Sequence, residues 1–89
     1  MVQSGDLTIN LQEREGVAVY QLTGRIDTAT SPFAESQLGE MIANSSKLVV
    51  LDLKDVNYIS STGLRVLLFI SAKVKKLSGK FAVSSLQPN

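Results

Sequence analysis

Cysteine and histidine are both absent from this chain of 89 residues. Without cysteine it can form no disulfide and offers no thiolate ligand, and without histidine a zinc site would need carboxylates alone. We therefore expect neither a metal nor another cofactor. A nucleophilic serine is normally activated by a neighbouring histidine, which excludes the usual serine hydrolase. The composition favours a protein that is not an enzyme.

Net charge is also nearly absent, since nine Lys and Arg residues oppose eight Asp and Glu residues for a formal charge of +1. Such a chain creates no strong field for nucleic acid or for an acidic membrane, so neither is expected as a partner. Asp52 and Arg65 interrupt the apolar stretches before they reach the roughly 20 residues that cross a membrane. The N-terminus does not resemble a signal peptide. The sequence predicts one soluble, cytoplasmic domain over residues 1–89.

Hydrophobic periodicity predicts the order ββαβαβ of an α/β protein with a mixed sheet. The alternating segment 7–12 and the segment 17–22 are expected to pair antiparallel across a glycine-containing turn. The strands at 48–53 and 80–86 are each reached through a helix, so each should run parallel to the strand before it. Because residues 48–53 are nearly all apolar, we expect a central strand that is covered on both faces.

Capping residues indicate where the helices begin and end. Ser31 is expected to cap the first helix, and residues 44–47 are expected to end it. The second helix is expected over about residues 61–77, closed by Ser78-Gly79 in the manner of a glycine C-cap. The longer loops are predicted at residues 23–30 and 54–57.

The loops after strands 17–22 and 48–53 should emerge at the same edge of the sheet, where sites of open α/β sheets form. Asp27 lies in the first loop, and the three hydroxyls of Ser60, Ser61 and Thr62 begin the second helix. One hydroxyl suffices to cap a helix, and aspartate is common in turns, so both features have a purely structural explanation. A remaining hydroxyl would also tolerate phosphate, because a helix N-terminus stabilises anions. On these residues alone both interpretations stay open.

The second helix has one face for the expected core and a different pattern on its outer side. At 100° per residue the core face comprises Gly63, Val66, Leu67, Ile70, Val74 and Leu77. The outer side comprises Arg65, Leu68, Ala72, Lys75 and Lys76, with Phe69 at its edge. Leu68 and Phe69 either cover a neighbouring loop or terminal segment, or form the centre of a protein-docking surface with a cationic rim.

Three segments, in order and with the expected spacings, resemble the STAS family. They are Leu22-Thr23-Gly24-Arg25-Ile26-Asp27, Leu51-Asp52-Leu53 and Tyr58-Ile59-Ser60-Ser61-Thr62-Gly63-Leu64-Arg65. The family has the fold of bacterial anti-sigma factor antagonists and of sulfate-transporter tails. The resemblance implies that a GHKL-type serine kinase, itself the anti-sigma factor, binds the unphosphorylated protein, releases the sigma factor and phosphorylates Ser61. A PPM-type serine phosphatase would then remove the phosphate.

The same resemblance, with the helix pattern, implies a partner-binding surface around Ser61. Ser60 replaces an aspartate that commonly precedes the family's phosphoacceptor, whereas Asp27 matches an acidic residue that lies near it. The implied partner-binding residues are Asp27, Thr28, Ser60, Thr62, Gly63, Arg65, Leu68, Phe69 and Ala72. Within the family, the alternative is a non-phosphorylated scaffold or a transport accessory module.

Family members usually continue with a third helix and a last strand beyond the position of Pro88-Asn89. A STAS-like fold that lacks these two elements is therefore expected for residues 1–89. Apolar surface that they normally cover, together with an open sheet edge, would favour self-association or strand exchange. Light scattering would detect either one.

Overall fold

A mixed β-sheet and two helices form in the part of the chain that the computed structural model describes, residues 2–43 and 48–84. In chain order they are β1 (Val2–Ser4), β2 (Leu7–Arg14), β3 (Val17–Ile26), α1 (Ser31–Ala43), β4 (Leu48–Ile59), α2 (Ser61–Lys76) and β5 (Lys80–Ser84). The predicted α/β class with a mixed sheet is confirmed. The predicted order of elements lacked β1.

β1 is a strand of three residues that the sequence pattern did not reveal. It joins β2 through the two-residue turn Gly5-Asp6, where Gly5 has a φ of 55°, and Ser4 pairs with Leu7. Glycine followed by aspartate is a known signal of a tight hairpin. Three residues are nevertheless too few to display an alternating pattern. The observed order is βββαβαβ.

The described strands lie in the sheet in their sequence order, β1-β2-β3-β4-β5. β2 and β3 pair antiparallel through Glu15-Gly16, whose φ values of 49° and 83° suit a tight hairpin turn. β4 lies parallel to β3, and β5 lies parallel to β4. These three predicted directions are confirmed. β5 is described as far as Ser84, and the predicted strand residues 85 and 86 lie outside the described residues.

Burial alternates along the first half of β4, so one face of this strand carries the core. Val49, Leu51 and Leu53 are buried, while Val50 and Asp52 between them are only half-buried. The prediction of cover on both faces is wrong for the described residues, because β-branched side chains also suit a partly exposed sheet surface. α1 and α2 pack against each other. The shared core includes Leu7, Ile9, Leu22, Ala34, Leu38, Val66 and Ile70.

The two strands that lead to the candidate site are longer than predicted. β3 continues to Ile26 and β4 to Ile59, and these two residues are register partners. The loop expected at 54–57 is wrong, because these residues belong to β4, and the loop expected at 23–30 is right only for residues 27–30, which connect β3 to α1. Their polar composition was misleading because side chains such as Thr23 are exposed at the end of the strand.

Ser31 is the first residue of α1 rather than its cap. Its Oγ donates a hydrogen bond to the carbonyl oxygen of Asp27 at 2.6 Å. Thr30 comes before it, and the Oγ1 of Thr30 accepts from the N–H of Asp27 at 2.9 Å. The predicted cap is wrong because the Ser31 hydroxyl acts as a donor. The predicted helix end at 44–47 lies outside the described residues.

α2 ends in a Schellman motif. The N–H of Gly79 donates to the carbonyl of Val74, and the N–H of Ser78 donates to that of Lys75, both at 2.9 Å. Ser78 has a φ of 62° and occupies the left-handed position that glycine usually takes. The glycine C-cap was thus predicted one residue too late, at Gly79.

Candidate functional site

The end of β4 and the start of α2 meet at a fixed junction. The N–H of Ser60 donates to the carbonyl oxygen of Ile26, at the end of β3, over 2.9 Å. Ser60 has an extended backbone, with φ −83° and ψ 173°, and its Oγ accepts from the N–H of Gly63 at 3.1 Å. Ser60 is therefore the N-cap of α2.

Ser61 is the first residue of α2, and its side chain is exposed. The first N–H groups of a helix have no partner within the helix. Ser60 accepts from the N–H of Gly63, so the N–H groups of Ser61 and Thr62 remain available at the helix end. The first turn of α2 contains no acidic residue. An anion on the Ser61 hydroxyl would therefore meet the positive end of the helix without a carboxylate from the same turn.

Gly63 lets the start of α2 lie directly against the sheet. A Cβ at this position would come within 2.7 Å of the Ile26 carbonyl oxygen and within 3.0 Å of the Ile59 Cγ2. Any larger residue would push the helix away from the ends of β3 and β4. Gly63 is therefore the small residue that this junction requires.

Asp27 shapes the connection between β3 and α1. Its Oδ1 accepts hydrogen bonds from the N–H groups of Ala29 and Thr30, each at 3.0 Å. The pKa of the Asp27 carboxyl lies below its ordinary value. The largest cause is the hydrogen bond from the Thr30 backbone, and the Thr30 hydroxyl, Arg25 and Ala29 act in the same direction against partial desolvation. The carboxylate is thus engaged in forming the loop, and it stays ionised.

Arg25 connects this loop to β4. Its Nε lies 3.4 Å from Oδ2 of Asp27, and its guanidinium carbon lies 4.3 Å from the centre of the Tyr58 ring. Neither Arg25 nor Tyr58 was identified from the sequence as a site residue. Their proximity depends on the register of β3 with β4, in which they are partners. A sequence pattern identifies such a pair only when the register is known.

The outer side of α2 is exposed as predicted at Arg65, Leu68 and Ala72, and Leu68 has 72% of its surface exposed. Phe69 is 43% exposed, and its ring reaches to 3.9 Å from the point where a Cβ on Gly39 of α1 would lie. Phe69 thus partly covers α1, a helix rather than the predicted loop or terminal segment, and Leu68 projects into solvent.

The inner side of α2 differs from its prediction at the last turn. Leu77 was assigned to the core face but is 47% exposed, because the helix ends at this residue and the chain turns away. Leu64 was assigned to neither face and is 51% exposed, one turn before Leu68. The remaining residues of the predicted core face are buried or half-buried, namely Gly63, Val66, Leu67, Ile70 and Val74.

The structure brings the connection after β3 and the junction after β4 to one edge of the sheet. Asp27 and Thr28 follow Ile26, and the junction residues follow Ile59, its register partner. Leu68 lies seven residues beyond Ser61, or about 10 Å along the helix axis. The predicted site residues thus form a cluster at the sheet edge and a second group farther along α2.

A family model described as the STAS domain matches residues 8–89 of this chain. The chain belongs to the STAS domain family. One relative of this STAS domain, the anti-sigma-F factor antagonist RsfB of Mycobacterium tuberculosis, is 35% identical over 77 residues. The match covers 86% of this chain and 62% of RsfB, so the STAS domain described here spans less than two thirds of that relative.

Solved structures share the fold of this STAS domain. An anti-sigma factor antagonist from Mycobacterium paratuberculosis is 31% identical with a TM-score of 0.80, over 92% of this chain and 70% of that one. The Bacillus cell fate determinant SpoIIAA in its phosphorylated form is 14% identical with a TM-score of 0.67, over 92% and 74% of the two chains. At that identity the second match shows the fold alone.

Two further properties concern the described residues of the STAS domain. Neither α1 nor α2 is long and apolar enough to cross a membrane. Within residues 2–43 and 48–84, the acidic side chains form no group of three that could hold a metal ion. The polar groups described at the sheet edge are the hydroxyls and amides at the start of α2 and the cluster of Asp27, Arg25 and Tyr58.

Proposed function

We propose that this STAS domain is an anti-sigma factor antagonist whose partner binding is switched off by phosphorylation of Ser61. In its unphosphorylated form it binds an anti-sigma factor that is also a serine kinase, and the sigma factor is released. The names of its relatives support this assignment, since RsfB and the Mycobacterium paratuberculosis protein are both called anti-sigma factor antagonists. One protein of the same fold, SpoIIAA, has been solved in a phosphorylated form.

The proposal rests on the different surroundings of Ser60 and Ser61. Ser60 Oγ is engaged as the N-cap and accepts from Gly63. Ser61 has an exposed hydroxyl beside helix N–H groups that have no partner within the helix. A kinase can reach this oxygen without unfolding the helix, and the phosphate would be stabilised where it forms. Thr62 is half-buried and offers a less accessible hydroxyl.

The added phosphate would act on binding through charge. It brings about −1.5 to −2 charges to the sheet edge where Asp27 already carries a carboxylate. The proposed partner surface continues from Thr28 and Ser60 to Arg65 and Leu68. A dianion inside this surface must be desolvated when the partner binds, and it repels acidic groups there. Dissociation of the complex follows, and a PPM-type serine phosphatase restores the binding form.

Phosphate transfer is tested directly with the anti-sigma factor kinase of the same organism. The protein is incubated with this kinase and ATP, and mass spectrometry of its peptides locates the phosphate. We expect one phosphate on Ser61, none on Ser61→Ala, and unchanged incorporation into Thr62→Ala as the matched control. Equal transfer to Ser61→Ala would contradict the assignment. Binding without any transfer would favour the alternative of a non-phosphorylated scaffold.

The effect on binding is tested by calorimetry with the same kinase. We expect Ser61→Asp to weaken the complex by about tenfold or more, because even one charge at a desolvated interface is costly. Ser36→Asp provides the matched control, since Ser36 is exposed on α1, away from the sheet edge. Equal affinities of the two variants would show that the interface lies elsewhere.

A further inference from the structure

β5 is an edge strand of the described sheet. Within residues 2–43 and 48–84 it pairs with β4 alone, so the backbone groups on its outer side have no strand beside them there. The N–H and C=O groups of an unpaired strand edge need hydrogen-bond partners, and such an edge is a template for another strand. The occupant that this edge recognises is therefore a backbone in the extended conformation.

β5 lacks the features that usually protect a sheet edge. Natural edge strands carry proline, several charges or a bulge, or they are very short. β5 contains no proline, its register with β4 is unbroken from Lys80 to Ser84, and Lys80 is its only charged residue. β1, at the opposite edge, has only three residues. β5 is thus the edge at which the described sheet can extend.

The apolar side chains of β5 reach past the cover that α2 provides. Phe81 and Val83 pair in register with Val49 and Leu51, which are buried, so these side chains lie on the core side of the sheet. Phe81 is half-buried against the core, whereas Val83 is 37% exposed. The edge therefore offers two apolar side chains on one face, beside its outer backbone groups.

We propose that β5 pairs antiparallel with β5 of a second copy of this chain, about a two-fold axis at Ala82. This register pairs all five residues of each strand, whereas moving the axis by one residue leaves only three pairs. Phe81 then lies opposite Val83 of the second copy, and an aromatic residue opposite a β-branched one is a favourable cross-strand pair. Lys80 lies opposite Ser84, so the paired strands place no like charges opposite each other.

The same surface serves on both copies, as a two-fold dimer requires. Because each strand supplies the pattern that the other needs, β5 is complementary to itself. The formal charge of +1 per chain adds little repulsion between the copies. The two sheets become one continuous sheet across the axis, and Val83 of each copy is covered by Phe81 of the other.

The oligomeric state is measured by sedimentation velocity between about 1 and 500 µM, since a small interface binds weakly. We expect a monomer–dimer equilibrium. Ala82→Glu and Ala82→Lys should each raise the dissociation constant about tenfold, because they place like charges opposite each other at the axis. An equimolar mixture of these two variants should recover the dimer, because the charges are then opposite. The matched control is Gln3→Glu, at an exposed position of β1, which should leave the constant unchanged.

Three results of the sedimentation experiment would overturn the proposal. They are a monomer at every concentration, equal effects of Ala82→Glu and Gln3→Glu, and no recovery in the mixture. Circular dichroism confirms that each variant is folded before the constants are compared. The measurements contain no kinase, so their outcome is independent of the proposed phosphorylation of Ser61.

The register is tested with cysteine, which this chain lacks. Residues directly opposite each other in antiparallel strands have Cα atoms about 4.5 to 5.5 Å apart, which a disulfide can span. Ala82→Cys should therefore form an intermolecular disulfide in aerated buffer, detected by mass spectrometry of the intact protein. Ser84→Cys is the matched control, because Ser84 is also exposed but lies about 13 Å from its own copy along the paired strands. Equal rates of cross-linking in the two variants would contradict the proposed pairing.

Discussion

Ser60 and Ser61 are adjacent residues of one type, and the structure gives them different surroundings. Ser60 caps α2 through Gly63, whereas the Ser61 side chain is exposed at the helix start. We expect Ser60→Ala to lower the free energy of unfolding by about 1 kcal/mol, the usual value of an N-cap. Ser61→Ala should change it by less than about 0.5 kcal/mol. Urea unfolding measures both, and equal losses would show that the cap is misassigned.

Asp27 should make stability depend on acid pH. Its folded-state pKa is lowered, chiefly by the Thr30 backbone hydrogen bond. The resulting stabilisation is therefore fully present above the ordinary aspartate pKa, about 4, and is lost as pH falls through the lower folded-state value. We expect Asp27→Asn to be less stable than the wild type at pH 7, with a difference that shrinks as pH drops below about 4. Denaturant unfolding at both pH values checks this, and a constant difference would count against it.

At the residue scale, the local structure of the junction was partly predictable from the sequence. Ser60 to Gly63 were predictable because hydroxyls and glycine at the start of a helix have known local effects. Arg25 and Tyr58 were not, since their contact depends on how two strands register across the sheet. The structural role of Ser31 was also missed. Its hydroxyl can donate as well as accept, and the sequence does not say which it does.

At the scale of the element, the end of α2 offers a stabilising substitution. Ser78 has a left-handed backbone with φ 62°, which costs roughly 1 kcal/mol for a residue with a Cβ. We expect Ser78→Gly to raise the free energy of unfolding by about 0.5 to 1 kcal/mol. Ser71→Gly, within α2, is the matched control and should lower it by a similar amount. Thermal and urea melts would show whether the free energy of unfolding rises or falls in each variant. Destabilisation by Ser78→Gly would contradict the motif.

Elements with a long apolar pattern were predictable, and elements that depend on neighbours were not. The apolar residues of β2 recur with the period of a strand, and those of α1 and α2 recur with the period of a helix. The sequence therefore located these three elements well. The second half of β4 is mostly polar and looked like a loop, yet its backbone pairs with β3 as far as Ile59. The three residues of β1 depend in the same way on pairing with β2. The polarity of the side chains does not show which backbone segments pair in the sheet.

At the scale of the whole molecule, Gly24 holds the N-terminal hairpin against the sheet edge. It has a φ of 109°, and a Cβ there would overlap the carbonyl oxygen of Asp6, which accepts from the N–H of Arg25 at 3.0 Å. We expect Gly24→Ala to destabilise the domain by about 3 kcal/mol or more. Gly16→Ala is the matched control, because Gly16 also has positive φ but open space around it. It should cost only about 1 kcal/mol, and equal losses in urea unfolding would argue against the contact.

The meeting of the β3–α1 connection with the β4–α2 junction was predictable at this scale, whereas the packing of α1 against α2 was not. Parallel strands joined by a helix must place their C-terminal ends at one edge, so Asp27 and Ser61 could be assigned together. The helix packing depends on how closely the two helices approach, and on Phe69 turning toward Gly39. Helix periodicity gives the faces of each helix but not the distance between them.

The carbonyl oxygen of Ile26 has a consequence for the speed of the proposed switch. It accepts a hydrogen bond from the N–H of Ser60, and it lies too close to Gly63 for any larger residue to fit there. The backbone of the junction therefore has a fixed conformation before Ser61 is modified. A phosphate on Ser61 then needs no folding step to be sensed. The delay between modification and release would be set by enzyme turnover and by the dissociation rate of the complex. In stopped-flow experiments we expect no separate slow phase from the domain itself.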